Sequence, residues 1–497
     1  MTTDVGRRSV AGNAAVLMAS QAATWALAFG MAIVLPRYLG PSAVGQLRLG
    51  VSLWAVAGVV VTFGTDTLLT KEFSRDPVRA MPLVGSAATV QLLAFALSCL
   101  GVASFVALAG YERDVVVIVA IVGASVVFQP FVSNARAALF GLERMERVAI
   151  VDVVSKVLYV LTVLVLIAIG ADVMGIAAAL TVPSAAAAIG MLWFLHRFGV
   201  SSRPRASGVG AVARSSRQYL AIGFTLIVYQ QIDVVVISLL VADRTLGWYS
   251  TADNLFSSLL FIPTILMTSL FPAMSRLHSE EPEGAATMLR RSAKLLLLTA
   301  VPIGLGTVAI ATPISMLLFG PAFAETGPVL AVFGIVLLLT YMTILLGRYA
   351  IAVDQQRFWL HLMAVAVVAT IALDIVLVPW ADRAFGNGAI GGAVAYLVTE
   401  SLMLVVGTLK LAPELLDRTV AGRLGRCLLA GAAMVCVVWP LRWSFIALPI
   451  GAGAVTYVGL VIAVRILEPD ERAALRMAGA RLVRRFRSPT HPTEVHE

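Results

Sequence analysis

Asp233 stands alone as a charge inside the apolar stretch QQIDVVVIS. Thr225, Tyr229 and Asp233 recur at i, i+4 and i+8, so on a helix they share one polar stripe with Gln230 at its edge. A stripe of this composition can bind sugar hydroxyls or a small cation; a structural pair between helices is the competing reading. Asp66, Asp374 and Glu400 lie in or near the ends of other apolar stretches, where a carboxylate can titrate or hold a cation for proton or sodium coupling, or pair with a neighbouring base. Arg48 offers the charge-assisted, bidentate hydrogen bonds that hold a diphosphate, or it snorkels to a membrane interface. Lys156 is read either as a cavity group or as an anchor, and Arg136 and Arg348 as anchors near helix ends. Gln21 shares a face with Asn13 and Thr24, and Asn254 with Thr251 and Ser258; such faces line cavities, and they also glue helices together. Trp25 and Trp54 fall near mid-helix, where lipid-facing packing is expected over stacking on a sugar.

These groups have to be held by an unusually apolar chain. Of 497 residues 59% are hydrophobic and only 13% charged, against roughly half and a quarter in soluble domains. Apolar runs of about 20 residues, the length of a bilayer crossing, recur throughout. They predict fourteen spans, at 13–35, 42–66, 83–109, 114–140, 149–170, 173–195, 218–241, 247–275, 292–319, 326–350, 358–379, 388–411, 424–443 and 446–467. The expected class is therefore an all-α polytopic membrane protein.

Loop charge orients it. With the amino terminus inside, the outside loops hold Arg37, Arg113, Arg244, Arg383 and Arg442, while about thirty of the 37 basic residues fall inside. Both termini are expected in the cytoplasm of a cell-membrane protein. The net charge of +9 is thus a topology signal and predicts no nucleic-acid partner. The final segment sets Leu475, Leu482 and Phe486 against Arg476, Arg484, Arg485 and Arg487, as in a helix lying on anionic membrane lipids.

Displacing the chain by 202 residues lays Gly45 on Gly247, Arg48 on Ser250, Ser52 on Asn254 and Leu68 on Leu270. The repeat predicts two six-span halves, 1–195 and 218–411, joined by a basic linker at 196–217 and followed by two extra spans at 412–467 and a basic tail at 468–497. An even number of spans in each half makes the repeats parallel, related by a pseudo-twofold axis along the membrane normal.

Catalytic and cofactor motifs are missing. There is no GxxxxGK[ST] and no HExxH, and the GxGxxG match from Gly386 to Gly391 leads into an apolar span without a preceding strand, so it is read as a helix start. Cys99, Cys427 and Cys436 lie in apolar runs far from any metal spacing. No enzyme activity, cofactor or metal is expected. A membrane glycosyltransferase or ligase would need a larger outside loop than this chain has.

RYLGPSAVGQLRL, the following GTDTLL and FSRD, QQIDVVVIS and GWYSTADNL…FIPTILMTSLFPAMSRL together resemble the polysaccharide-biosynthesis flippases of the multidrug/oligosaccharidyl-lipid/polysaccharide exporter superfamily. The resemblance covers nearly the whole chain. It implies a V-shaped bundle that moves prenyl-diphosphate-linked oligosaccharide to the outer leaflet for a polymerase or ligase, alongside glycosyltransferases of the same pathway. Cation-coupled multidrug antiporters of the same superfamily are the alternative.

Overall fold

The computed structural model describes residues 10–201, 203–280 and 282–464, with side chains from residue 24 onward except at 279, 282 and 418–420. The side chain of Gln21 and the basic tail at 468–497 lie outside the described residues. Among the described residues the regular elements are helical. In the first half they are α1 (Val10–Thr62), α2 (Thr65–Arg75), α3 (Pro77–Ala109), α4 (Arg113–Val126), α5 (Gln129–Gly141), α6 (Met145–Ala168), α7 (Val173–Ala178) and α8 (Thr181–Arg197). The second half holds α9 (Val209–Leu240), α10 (Asp243–Leu259), α11 (Phe261–Glu280), α12 (Pro282–Phe319), α13 (Thr326–Ala352), α14 (Gln356–Phe385) and α15 (Gly388–Leu411); α16 (Arg418–Leu441) and α17 (Ala447–Ala463) follow.

Among the described residues twelve segments are long and apolar enough to cross a membrane. The first of them contains two crossings, because α1 is broken at Gly40, whose φ of 76° and ψ of 170° suit glycine and few other residues. Pro41 then opens the next segment without needing a hydrogen bond for its missing N–H. The 17-residue α17 is the last apolar helix among the described residues, and with it the crossings there come to fourteen.

Four of the expected spans are not single rods. The second breaks at Phe63 and Gly64, both at positive φ, and the fourth, sixth and eighth break between α4 and α5, α7 and α8, and α10 and α11. Each of the last three breaks falls just before a proline, Pro130, Pro183 or Pro263. A proline removes the bond to the carbonyl four residues back, and in lipid that carbonyl needs another donor. For Pro263 the freed group is Leu259 O, which accepts a 2.8 Å bond from the Tyr341 hydroxyl on α13. Proline alone does not decide: Pro302 and Pro313 remain inside α12.

Call the face that carries Gly40, Gly110 and Val241 the distal face. The two halves meet there along α1 and α10. The meeting is reciprocal: a methyl group on Gly45 would overlap the Asp243 carbonyl, and one on Gly247 would overlap the Pro41 carbonyl. Asp243 and Pro41 are themselves 202 residues apart, so the contact exchanges equivalent positions as a twofold axis requires. Away from the distal face the continuations of these helices part. α2 packs on α3, α5 and α9, whereas α11 packs chiefly on α12 and α13.

Residues 209–217, read from the sequence as linker, are the first turns of α9. The remaining connection lies along α3: Arg205 N donates to Gly85 O at 3.0 Å, Ser86 Oγ to Ser207 O at 2.6 Å, and Thr89 Oγ1 to Arg205 O at 2.9 Å. Gly64 lets Tyr219 and Leu220 approach α2, so the start of α9 is packed on the first half and its end within the second. α16 docks on α12 through Val301, Ile310, Cys427 and Met434, with Tyr457 of α17 in the same apolar cluster.

Candidate functional site

Small residues bring the α1 and α10 backbones together, and polar side chains then bridge what remains of the seam. Gln46 Nε2 donates to Asp243 Oδ2 at 2.9 Å, and Ser52 Oγ donates to Gln231 Oε1 on α9 at 2.8 Å. Between them Arg48 Nη2 reaches Asp253 Oδ2 at 2.7 Å, with both side chains about one-fifth exposed. The cation expected to be open to an anion or to snorkel is thus an ion-pair partner across the halves. At the distal edge Tyr111 Oη and Ser238 Oγ lie 2.7 Å apart. Burial raises the Tyr111 pKa above its ordinary value, so the phenol stays a neutral hydrogen-bonding group.

Asp253 was not singled out in the sequence; its neighbour Asn254 was, on spacing. Asn254 is half-buried, and its carbonyl accepts a 2.7 Å bond from Ser258 Oγ. Gln230 is exposed, whereas Gln231, one residue and 100° further round α9, makes the bond across the seam. Thr225 Oγ1 bonds back to Ala221 O on its own helix at 3.0 Å.

Two carboxylate groupings are buried in the second half. Tyr229 Oη donates to Glu400 Oε1 at 2.6 Å and Thr343 Oγ1 to Glu400 Oε2 at 2.7 Å, tying α9, α13 and α15 together. Asp233, seven residues from the distal end of α9, accepts a 3.0 Å bond on Oδ2 from Tyr249 Oη, while its Oδ1 is buried and unsatisfied. Asp374 on α14 is fully buried and neither of its oxygens has a hydrogen-bond partner. α14 packs against α9, the helix that carries Asp233. The expected ion-coupling residues thus divide: Asp233, Asp374 and Glu400 are buried in the second half, on α9, α14 and α15, with the oxygens of Glu400 occupied, and Asp66 sits exposed in the first turn of α2.

The first half handles polarity differently. Gln91 Nε2 donates to Thr65 Oγ1 at 2.6 Å and Ser133 Oγ at 3.1 Å, and Asn134 Nδ2 donates to Gln91 Oε1 at 2.8 Å, a neutral network joining α2, α3 and α5. Arg136 makes a bidentate pair with Asp152 at 2.6 and 3.3 Å, which answers its charge within the protein. Lys156 is half-buried with its ammonium 5.2 Å from the centre of the Tyr159 ring. Trp54, expected to pack toward lipid, is instead 6% exposed, and its Nε1 donates to Val119 O at 2.7 Å, fixing α1 to α4. Trp25 meets the Phe261 ring edge-on, 5.5 Å between centres, across the halves.

The Gly386–Gly391 match is a helix junction. Gly386, at φ 67°, ends α14, and Asn387 Oδ1 caps α15 by accepting from Ala389 N at 3.2 Å. A cleft of about 550 Å³ lies between α11 and the start of α12, with Thr287, Arg291 and Ser292 among its lining residues. Among the described residues no cluster of three or more His, Cys, Asp or Glu is placed to hold a metal ion.

Fourteen crossings, two pseudo-equivalent halves meeting along one seam, and ionisable groups buried beside it define a polytopic membrane protein of the two-bundle transporter fold. The fold matches a lipid II flippase, MurJ, in an inward closed conformation, with a TM-score of 0.74 at 12% identity over 91% of this chain and 99% of that one. It also matches an inward-facing multidrug resistance MATE family transporter of the MOP superfamily, with a TM-score of 0.58 at 13% identity over 83% and 96%. The chain belongs to the polysaccharide biosynthesis protein family, whose model matches residues 10–278. Among curated relatives, a probable low-salt glycan biosynthesis flippase of Haloferax volcanii, Agl15, is 20% identical over 82% of this chain and 84% of its own length. A probable flippase of the same organism, AglR, is 23% identical over 46% of this chain and 49% of its own.

Proposed function

We propose that this protein is a flippase, not an enzyme, and that it carries a prenyl-diphosphate-linked oligosaccharide from the inner to the outer leaflet of the cell membrane for cell-surface polysaccharide assembly. The observation that carries the reading is the seam. α1 and α10 close one face through backbone contacts and an ion pair, while their continuations α2 and α11 diverge into opposite halves, a geometry suited to alternating access. The names of the glycan-biosynthesis relatives and of the family supply the substrate class.

The distribution of Lys and Arg supports an outside distal face with both termini in the cytoplasm. With that face outside and the seam closed, we read this as an inward-facing form. The halves 1–195 and 218–411 act as the rocking bodies, with spans 13 and 14 riding on α12. An oligosaccharide headgroup enters between the halves while its prenyl tail stays among membrane lipids. Arg48, held here by Asp253, offers the diphosphate a guanidinium for which it competes with that carboxylate. Tyr229, Gln230, Thr225, Asn254, Gln21 and Lys156 remain our candidates for lining the path. Asp233 and Asp374, buried with unsatisfied oxygens, are assigned to a coupling cation, with Glu400 as a neighbour and Asp66 at the cytoplasmic mouth. A negative-inside potential adds about 2.3 kcal/mol per 100 mV for each negative charge moved outward. A polymerase and glycosyltransferases of the same pathway are the expected partners.

The buried carboxylates also favour a second reading, a cation-coupled multidrug antiporter. Leaflet-resolved measurement of prenyl-diphosphate-linked glycan in cells depleted of the protein separates the two. Build-up on the cytoplasmic side with loss of surface polysaccharide is expected. Normal glycan export would reject the flippase reading, and drug efflux by the same cells would then establish the antiporter.

A further inference from the structure

The cleft between α11 and the start of α12 lies wholly within the second half, and none of its lining residues is assigned to the transport path. The apolar runs of the eighth and ninth spans end at 275 and begin at 292, so the cleft straddles the boundary between membrane and water. Leu270 and Leu295 line it on the membrane side, and Leu277, Glu283, Thr287 and Arg291 on the water side. Glu283, Thr287, Arg291 and Leu295 follow one another at steps of four, a single stripe running about 18 Å along α12.

Along that stripe the chemistry changes in order: an acid, a hydroxyl, a base and then hydrocarbon. Glu283 and Arg291 are exposed, and neither forms an ion pair among the described residues. A base where the apolar run begins, with an acid two turns further into water, repeats the order of a zwitterionic phospholipid in its leaflet, with chains innermost, then phosphate, then ammonium. Arg291 presents a fork of N–H donors to a phosphate, and helical side chains lean toward the helix start, which carries its guanidinium toward Thr287. Thr287 Oγ1 donates to Glu283 O at 3.0 Å, leaving its lone pairs to accept from an ammonium. Leu295 is 44% exposed and offers hydrocarbon to an acyl chain, as Leu270 does on the α11 wall. The volume of about 550 Å³ falls within the roughly 300–1,000 Å³ of ordinary small-molecule sites. A base alone would accept any anionic lipid; the acid beside it selects one that also carries a positive charge.

We propose that this cleft binds a phosphoethanolamine lipid, with its phosphate on Arg291, its ammonium at Thr287 and Glu283, and its chains along Leu270 and Leu295. The orientation drawn from loop charge makes it a lipid of the cytoplasmic leaflet; the recognition chemistry does not depend on that orientation. A lipid seated there bridges α11, the continuation of α10 beyond the seam, to α12.

In the test, full-length protein in detergent is titrated with phosphatidylethanolamine and with phosphatidylglycerol, and bound lipid is counted by native mass spectrometry. Phosphatidylethanolamine is expected to bind about three- to fivefold more tightly, the size of one exposed charge pair. Glu283→Gln is expected to remove that preference by weakening phosphatidylethanolamine alone, and Arg291→Gln to weaken both lipids about three- to fivefold. Both side chains are exposed, so neither substitution disturbs the core. Equal binding of the two lipids by the parent, a preference for phosphatidylglycerol, a preference that survives Glu283→Gln, or binding indifferent to Arg291→Gln overturns the proposal. Glycerophosphoethanolamine, the same headgroup without chains, is expected not to displace the lipid at equal concentration, and displacement overturns the assignment to a lipid.

Discussion

Replacing Gly247 by alanine sets a methyl group against the Pro41 carbonyl, across the closest approach of the two halves. The obstacle is backbone, which cannot swing aside as a side-chain tip can. The helices must separate by on the order of an ångström, and overpacking of this kind costs about 1–3 kcal/mol. That cost falls on the closed seam and vanishes once it parts, so the open-to-closed ratio rises by about 5- to 150-fold. Gly45→Ala, which meets the Asp243 carbonyl, is expected to act to a similar extent. The double variant should show less than the sum of the two, because parting the seam once relieves both clashes. Spin labels at Glu112→Cys and Arg383→Cys, exposed distal positions on opposite halves, read the ratio, and leaflet-resolved glycan transport reads the consequence. Unchanged distances in both single variants, with the helical content intact, would refute the claim that this contact holds the distal face closed.

Tyr229→Phe removes the 2.6 Å donor to Glu400, and bonds to charged groups contribute about 1.5–3 kcal/mol. A lowered unfolding midpoint is expected, partly restored by Glu400→Gln in the same chain. Trp54→Phe leaves the Val119 carbonyl without its 2.7 Å donor and should cost about 1–3 kcal/mol in a denaturant titration, with little effect if the indole is merely filling space. Arg136→Gln should move stability by no more than about 1 kcal/mol, because Arg136 and Asp152 are each about one-third exposed; a larger loss would mean that the pair is shielded from water.

The span count and the two-half architecture could be read from the sequence because hydropathy, loop charge and the 202-residue repeat are independent of one another and agree. The breaks within spans could not, since an apolar window averages over a proline, and prolines that break a helix look the same as Pro302 and Pro313, which do not. Arg48 and Asp233 stood out as charges in apolar runs, but the partner that gives Arg48 its role was hidden in a polar stretch. TADN offers an Asp and an Asn side by side, and spacing favoured Asn254 where the seam uses Asp253. The same one-residue ambiguity exchanged Gln230 for Gln231. Helical periodicity finds a face to within one position, and one position is 100° of rotation, enough to turn a side chain from the seam to elsewhere. Trp54 misled for a related reason: depth along a helix is legible, but which side meets lipid is set by neighbours far away in the chain.

A contact in which each partner presents the same patch is how two copies of one polypeptide recognise each other. The exchanged glycines therefore reproduce, inside a single molecule, the geometry of a symmetric contact between two copies. Asp233, Tyr249 and Asp253 stand 202 residues after Met31, Leu47 and Val51, and Arg48 stands opposite Ser250. One half carries the acids, and the other has apolar residues at those positions and supplies the base. The halves thus touch alike and differ in what they bring to the seam, so the contact is symmetric in backbone and asymmetric in charge.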